Sequence, residues 1–164
     1  ETKGAYIPMD KEEIDRVKKD QLKKIVEFFP FMSMIDSFQH WVYTDKNNDR
    51  DARGKKWQEL NGRFQPYLDM TGLEEIEKTR WQYPHIFTVP FYYIEYGIAQ
   101  IGALQVWKNS LSDEEKALGD YLQALSLGGS VSLPELFRAA NIKFSMTKET
   151  LSELVKLIRE EVGE

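Results

Sequence analysis

Residues 80–107 read RWQYPHIFTVPFYYIEYGIAQIGALQVW and form the longest nearly uncharged run of the chain. We predict a helix that starts at Pro90, where the fixed φ and missing N–H of proline cost nothing. Steps of about 100° per residue bring four apolar side chains to one face that is typical of a core: Phe91, Ile94, Ile98 and Ile101. A helix that is apolar around most of its circumference is a buried one, so residues 90–107 are expected to lie at the centre of the fold.

The same helical count gathers hydroxyl and amide groups on a second arc, made of Tyr92, Tyr96, Gln100 and Trp107 with Tyr93 at its edge. Two interpretations are open. The rings can fill a core while their hydroxyls bond to the backbone, because an unpaired buried hydroxyl costs about 1–3 kcal/mol. Alternatively, the arc is one wall of a cleft whose hydroxyls, with His85 just upstream, face a polar ligand. The pattern alone does not separate these two interpretations.

Composition limits the class of protein. The 164 residues are 41% hydrophobic and 30% charged, as in an ordinary globular domain, and we expect residues 1–164 to form a single helical domain. A net charge of −5 argues against a nucleic-acid surface, and the absence of cysteine excludes disulfides and thiolate metal sites. Residues 89–107 are interrupted by Glu95 and two glutamines, so no membrane span is expected and the cytoplasm is the predicted location.

The rest of the chain has helical periods and no alternating strand pattern, which predicts an all-α fold of about eight helices. Asp10 and Glu13 resemble a capping box for a helix over residues 10–29 that Pro30 stops or bends, before a buried helix over 31–43. Later helices are expected near residues 57–68, 73–81, 112–127, 132–140 and 147–162. Pro84 is predicted to close the segment over residues 73–81, and Ser112, Ser132 and Thr147 are predicted to begin the last three segments.

Two further features have ordinary explanations. Asp45, Asn47, Asp49 and Asp51 alternate like the start of a calcium-binding EF-hand loop, but Arg50 and Lys56 occupy the positions of the required glycine and glutamate. A solvated connection between helices is therefore predicted for residues 44–53. His40 is expected to be a core histidine that is satisfied by hydrogen bonds.

Four segments carry a family resemblance: residues 33–44 (SMIDSFQHWVYT), 57–64 (WQELNGRF), 85–107 (HIFTVPFYYIEYGIAQIGALQVW) and 121–144 (YLQALSLGGSVSLPELFRAANIKF). In this order they resemble the oligoendopeptidase F group of the thimet-oligopeptidase-like zinc peptidases. The resemblance implies the helical C-terminal part of a zincin-type catalytic domain in a metalloendopeptidase that cleaves short peptides. Because the chain begins Glu1-Thr2-Lys3, we expect an excised C-terminal portion, whose partner is the upstream zinc-binding portion of the same polypeptide.

The resemblance also implies roles for individual residues. A histidine and tyrosines downstream of the family's zinc motif bind the substrate backbone and stabilise the oxyanion, and the matching positions are His85, Tyr92 and Tyr96 as catalytic residues and Tyr93 as a substrate-binding residue. The zinc motif itself, H-E-x-x-H, is not in the sequence, which contains only His40 and His85. Zinc is therefore expected in the parent protein and not in this chain. The alternative class is a non-catalytic helical scaffold or interaction module.

We predict that the isolated chain binds no catalytic zinc and cleaves no peptide. Two histidines without the helical pair and its glutamate base cannot build a three-ligand site with an open water position. Metal analysis after exhaustive dialysis should find well below about one zinc per chain, with no dependence on His85. Stoichiometric zinc together with peptidase activity would contradict this prediction.

Overall fold

The computed structural model describes residues 10–163, and this part of the chain is helical without strands, which confirms the predicted all-α fold. No helix in it is long and apolar enough to cross a membrane. Eight α-helices and one short 3₁₀ helix follow one another in these residues: α1 Lys11–Thr44, α2 Arg50–Phe64, α3 Glu74–Glu77, α4 Pro84–Phe87, α5 Ile94–Ser110, α6 Glu114–Leu127, the 3₁₀ helix Gly128–Ser130, α7 Leu133–Ala139 and α8 Lys148–Val162.

The first helix, α1, is continuous, so Pro30 does not stop it, and the prediction of a separate helix over residues 31–43 was wrong. It begins with the expected capping box, in which the Glu13 amide donates to Asp10 Oδ1 over 2.9 Å. Pro30 removes one backbone hydrogen bond from the interior of the helix. Burial of apolar side chains on both sides of the proline offsets that loss, with Leu22 and Ile25 before it and Met32 and Met34 after it.

Several of the predicted helix ends are confirmed, because capping depends on residues that are close in sequence. Thr147 caps α8, Ser132 and Glu135 form a capping box for α7, and Gly128 ends α6 with a φ of 52°. The prediction for Ser112 was wrong. Asp113 caps α6 instead, accepting from the Lys116 amide over 3.0 Å.

In the acidic run at residues 45–51, carboxylate side chains accept hydrogen bonds from nearby backbone amides. Asp45 Oδ1 accepts from the Asn47 amide over 2.8 Å, which closes a turn. Asp49 Oδ1 accepts from the Ala52 amide over 2.8 Å and caps α2, so this helix begins at Arg50, inside the segment predicted to be a loop. These side chains have local structural partners, as the departures from the calcium-loop pattern indicated.

Two apolar cores pack against α1, one on each half of the helix. The first joins its second half to α2 and the segment that leads into α5, with Ile35, Phe38 and Ile86 completely buried. The second joins its first half to α5 and α8 through Leu22, Ile25, Ile101, Leu104, Leu154 and Ile158. Helix α5 packs on α1, α6 and α8, which agrees with its predicted central position.

The start of α5 differs from the prediction. The helix begins at Ile94 and not at Pro90, because Phe91 has a φ of 61°, in the left-handed region that a helix cannot contain. The Phe91 ring packs on His40 at 5.1 Å and on Tyr43 at 5.4 Å between ring centroids, and it is partly exposed, so Phe91 is not a core residue as expected. This contact with the end of α1 is tertiary and leaves no trace in the helical period.

The expectations for His40 and Pro84 were also wrong. His40 is exposed, with Nε2 at 3.6 Å from Asp36 Oδ2. Pro84 does not close a helix but begins α4, where a proline at the first position is favourable, and His85 follows it in the same turn. The Tyr43 hydroxyl donates to the Ile86 carbonyl oxygen over 3.0 Å and so joins α4 to α1.

We predict that Tyr43→Phe lowers the free energy of unfolding by about 0.5–1.5 kcal/mol, the usual contribution of one hydrogen bond. The substitution keeps the ring that packs on Phe91 and removes only the donor to Ile86. Chemical denaturation measures the change. The control is Tyr67→Phe, at an exposed tyrosine, which should leave stability unchanged within about 0.5 kcal/mol. An equal effect of the two substitutions would contradict the proposed anchoring role.

Candidate functional site

Five aromatic side chains come together where α4 leads into α5, and we call them the tyrosine–histidine cluster: Tyr83, His85, Tyr92, Tyr93 and Tyr96. His85 is at its centre. Its ring stacks on Tyr83 with the centroids 5.1 Å apart and meets Tyr93 edge-on at 5.2 Å and Tyr96 at 6.0 Å. The structure thus brings together all four residues that the sequence nominated for the site.

The tyrosines of this cluster differ sharply in exposure. Tyr93 is only 5% exposed, whereas Tyr92 is 49% and Tyr96 42% exposed. The ring of Tyr96 contacts both others, at 5.2 Å from Tyr93 and 5.5 Å from Tyr92 between centroids. Tyr93 therefore forms the floor of the cluster, and Tyr92 and Tyr96 form its open side.

Local backbone geometry sets this arrangement. The left-handed Phe91 turns the chain, and the Tyr92 amide donates to the Val89 carbonyl over 3.2 Å in the turn that precedes α5. Tyr92 consequently lies outside the helix, although the sequence placed it on a helical arc, while Tyr96 is on the first turn of α5. The two exposed rings meet because the turn folds back on the helix.

Tyr83 was not identified from the sequence as a site residue. It stacks on His85 and contacts Tyr93 at 5.8 Å, and Phe31 of α1 meets both tyrosines edge-on. The only signal was the short spacing Tyr83-Pro84-His85, since a proline that starts a helix holds its neighbours in a fixed relation. That spacing alone does not indicate a stacked pair.

The hydroxyl of Tyr93, the buried tyrosine of the cluster, is held in its neutral form. Burial raises the pKa of the Tyr93 hydroxyl well above its usual value, and the hydroxyl of Tyr83 beside it and the neighbouring Tyr96 add to the effect. The His85 ring is partly exposed, but its Nδ1 atom is buried and has no hydrogen-bond partner within residues 10–163. The buried nitrogen cannot reach a ligand, which leaves Nε2 for that purpose.

Nothing in the described chain fits a catalytic zinc ion. No three histidine, aspartate or glutamate side chains in residues 10–163 lie close enough together to hold a metal. His40 belongs to α1 and pairs with Asp36, and no third such side chain in the described residues joins this pair. The buried carboxylate of Glu77 accepts from the amides of Asn61 and Gln58, at 2.5 and 3.2 Å, and serves to hold α3 on α2.

A cavity of about 740 Å³ opens elsewhere, between α1, α5 and α8. Among residues 10–163 its wall is mostly apolar, with Lys23, Glu27 and Arg159 as charged members and without a histidine or tyrosine. The tyrosine–histidine cluster, by contrast, brings an imidazole and several hydroxyl groups together, and we take it as the candidate site.

We predict that Tyr93 makes stability fall more steeply as the pH rises from its ordinary pKa of about 10. Because the native pKa is raised, the unfolded state loses this proton first and binds fewer protons than the native state. That difference favours unfolding as pH increases. The free energy of unfolding, measured between about pH 9 and 11, should decline less steeply in Tyr93→Phe than in the unaltered chain. Equal slopes would show that Tyr93 titrates alike in both states.

Comparison with known proteins gives a consistent result. Residues 2–156 match peptidase family M3, while no curated protein matches. Among solved structures, the chain is similar to PZ peptidase A with inhibitor 2, with a TM-score of 0.84 and 31% identity over 93% of this chain and 28% of that one. A putative oligoendopeptidase F gives a TM-score of 0.84 and 29% identity over 93% and 27%.

The chain therefore spans less than a third of either protein. The second match confirms the resemblance to oligoendopeptidase F that the sequence segments indicated. With almost its whole length matched, the chain belongs to peptidase family M3.

Proposed function

We propose that this chain supplies the substrate-binding and oxyanion-stabilising part of a zinc metalloendopeptidase that cleaves short peptides. One observation carries the proposal: in a chain of peptidase family M3, the half-exposed Tyr96 packs beside His85, and the half-exposed Tyr92 packs on Tyr96. Side chains that merely filled a core would be buried together. Their division into one buried and two open tyrosines supports a cleft wall.

The proposed roles follow from the chemistry of the exposed groups. When water attacks a peptide carbonyl carbon, negative charge develops on the carbonyl oxygen, and a hydroxyl that donates to this oxygen binds the transition state more tightly than the substrate. We assign this task to Tyr92 or Tyr96. His85, through Nε2, would bind the substrate backbone beside them. Tyr93, which the resemblance nominated for substrate binding, is buried, and we assign it the support of the His85 and Tyr96 rings instead.

Zinc belongs to the proposal only for the whole peptidase. Residues 10–163 do not fit the ion, so its ligands and the glutamate base would come from the upstream portion of the polypeptide, and this chain alone would be inactive. The small share of each solved structure that the chain covers supports this division. For the same proposed enzyme we expect a cytoplasmic location.

An interaction module is the second candidate, and one surface favours it. Helix α6 exposes a stripe of apolar side chains that are about half accessible: Leu118, Tyr121, Leu122 and Leu125. Exposed apolar patches often mark contacts with other protein surfaces. Such a stripe is also expected where a piece of a larger enzyme meets the remainder, so it does not by itself argue against catalysis.

We predict that Tyr92→Phe or Tyr96→Phe, in a full-length peptidase that contains this chain, lowers kcat by roughly 10²–10³-fold, the range for losing one oxyanion donor. The substitution keeps ring and volume, so stability and zinc content should hardly change. Steady-state kinetics with a short peptide, thermal unfolding and metal analysis on the same samples measure the three quantities.

The matched control is Tyr121→Phe on α6, because Tyr121 is 42% exposed like Tyr96 but lies outside the cluster. It should leave kcat unchanged. If neither cluster variant alters kcat, the two tyrosines have no part in the mechanism. If the hydroxyls instead satisfy core groups, both variants would lower stability by about 1–3 kcal/mol and spare kcat.

A further inference from the structure

Two residues in the described chain carry buried side-chain polar atoms without a hydrogen-bond partner. They are Gln39, at both the nitrogen and the oxygen of its amide, and His85, at Nδ1. Gln39 is 0% exposed and lies among apolar side chains of the first core. A methionine of similar volume would fill this space without leaving an amide unpaired. A glutamine at this position therefore suggests that its amide has a hydrogen-bonding role.

Helix geometry places Gln39 on the side of α1 that packs on the segment over residues 85–97, which begins with His85. At about 100° per residue, Gln39 lies within about 40° of Tyr43 and about 20° of Met32 on the surface of α1. Both neighbours touch that segment. The Tyr43 hydroxyl donates to the Ile86 carbonyl, and the Met32 methyl group lies 2.5 Å from where a Cβ on Gly97 would stand.

Residues of α1 on both sides of Gln39 thus contact the cluster or the residue next to it. Phe31, two turns before Gln39, meets Tyr83 and Tyr93, which are the rings that enclose His85. Tyr43, one turn after Gln39, bonds to the residue that follows His85. The buried amide and the buried imidazole nitrogen therefore both lie where α1 packs on the segment around α4, each with unused hydrogen-bonding capacity.

We propose that Gln39 is a positioning residue for His85, and that its amide N–H donates to Nδ1. The structure shows no bond between the two side chains, so the proposal requires another rotamer of the glutamine side chain. A neutral imidazole has one donor and one acceptor nitrogen, so a donor at Nδ1 places the proton on Nε2. Nε2–H then points to the open side of the cluster, where it can donate to a carbonyl oxygen. Only this donation to a substrate rests on the proposed function.

Nitrogen NMR of the imidazole rings tests the proposal on the chain itself. The sequence has only two histidines, and His40→Gln assigns the remaining signals to His85. At about pH 8, where an ordinary histidine is neutral, we expect Nδ1 to show the shift of an acceptor and Nε2 that of a protonated nitrogen. Gln39→Met, which removes the amide at similar volume, should change the ratio of tautomers roughly five- to tenfold toward Nδ1–H.

The control is Gln65→Met. The Gln65 amide belongs to the α2 side of the same core, at 3.6 Å from Met34 Sδ and 2.9 Å from Asn61 Oδ1, and its loss should leave the His85 tautomer unchanged. An unaltered tautomer ratio in a folded Gln39→Met chain would overturn the proposal. If that variant does not fold, the unaltered chain decides, because a proton on Nδ1 there also overturns it. Neither spectrum depends on peptidase activity, so this test can fail or succeed independently of the tyrosine variants.

Discussion

The packing of the second half of α1 on residues 81–97 is the contact on which the candidate site depends. The two helices inside or beside this segment, α3 and α4, have four residues each and could not persist alone, because a helix this short does not recover the cost of its nucleation. Burial of Ile86 against Ile35 and Phe38, together with the Tyr43 hydrogen bond, fixes α4 on α1. The position of His85 is therefore set by a helix that is more than forty residues away in sequence.

This dependence explains what could be predicted from the sequence. Features that rest on neighbouring residues were predictable: the capping boxes at Asp10 and Ser132, the cap at Thr147 and the apolar period of α5. The continuity of α1 through Pro30 and the left-handed Phe91 were not, since each is stabilised by packing between distant segments. Periodicity describes one element at a time, and these two features belong to contacts between elements.

The candidate site follows the same rule. His85 and the three tyrosines at the start of α5 and just before it could be nominated because their residue types and order resemble a family, but their individual orientations could not. Treated as a regular helix from Pro90, the sequence places Tyr92 and Tyr96 on one arc by counting. In the structure they meet for another reason: a left-handed residue, which costs about 1–3 kcal/mol, turns the chain just before α5. Tyr83 was missed because its stacking on His85 is a matter of side-chain geometry alone.

The arrangement of rings also has a consequence for catalysis by hydrogen bonding. A donor stabilises developing charge most effectively when it is already oriented, because no free energy is then spent on reorganisation during the reaction. Tyr96 is held between two other tyrosines and His85, which restricts its ring while leaving its surface open. The restraint comes from Tyr93, and Tyr93 is in turn fixed by Phe31 of α1. The orientation of the Tyr96 ring is thus set by contacts within the described chain, from Phe31 through Tyr93.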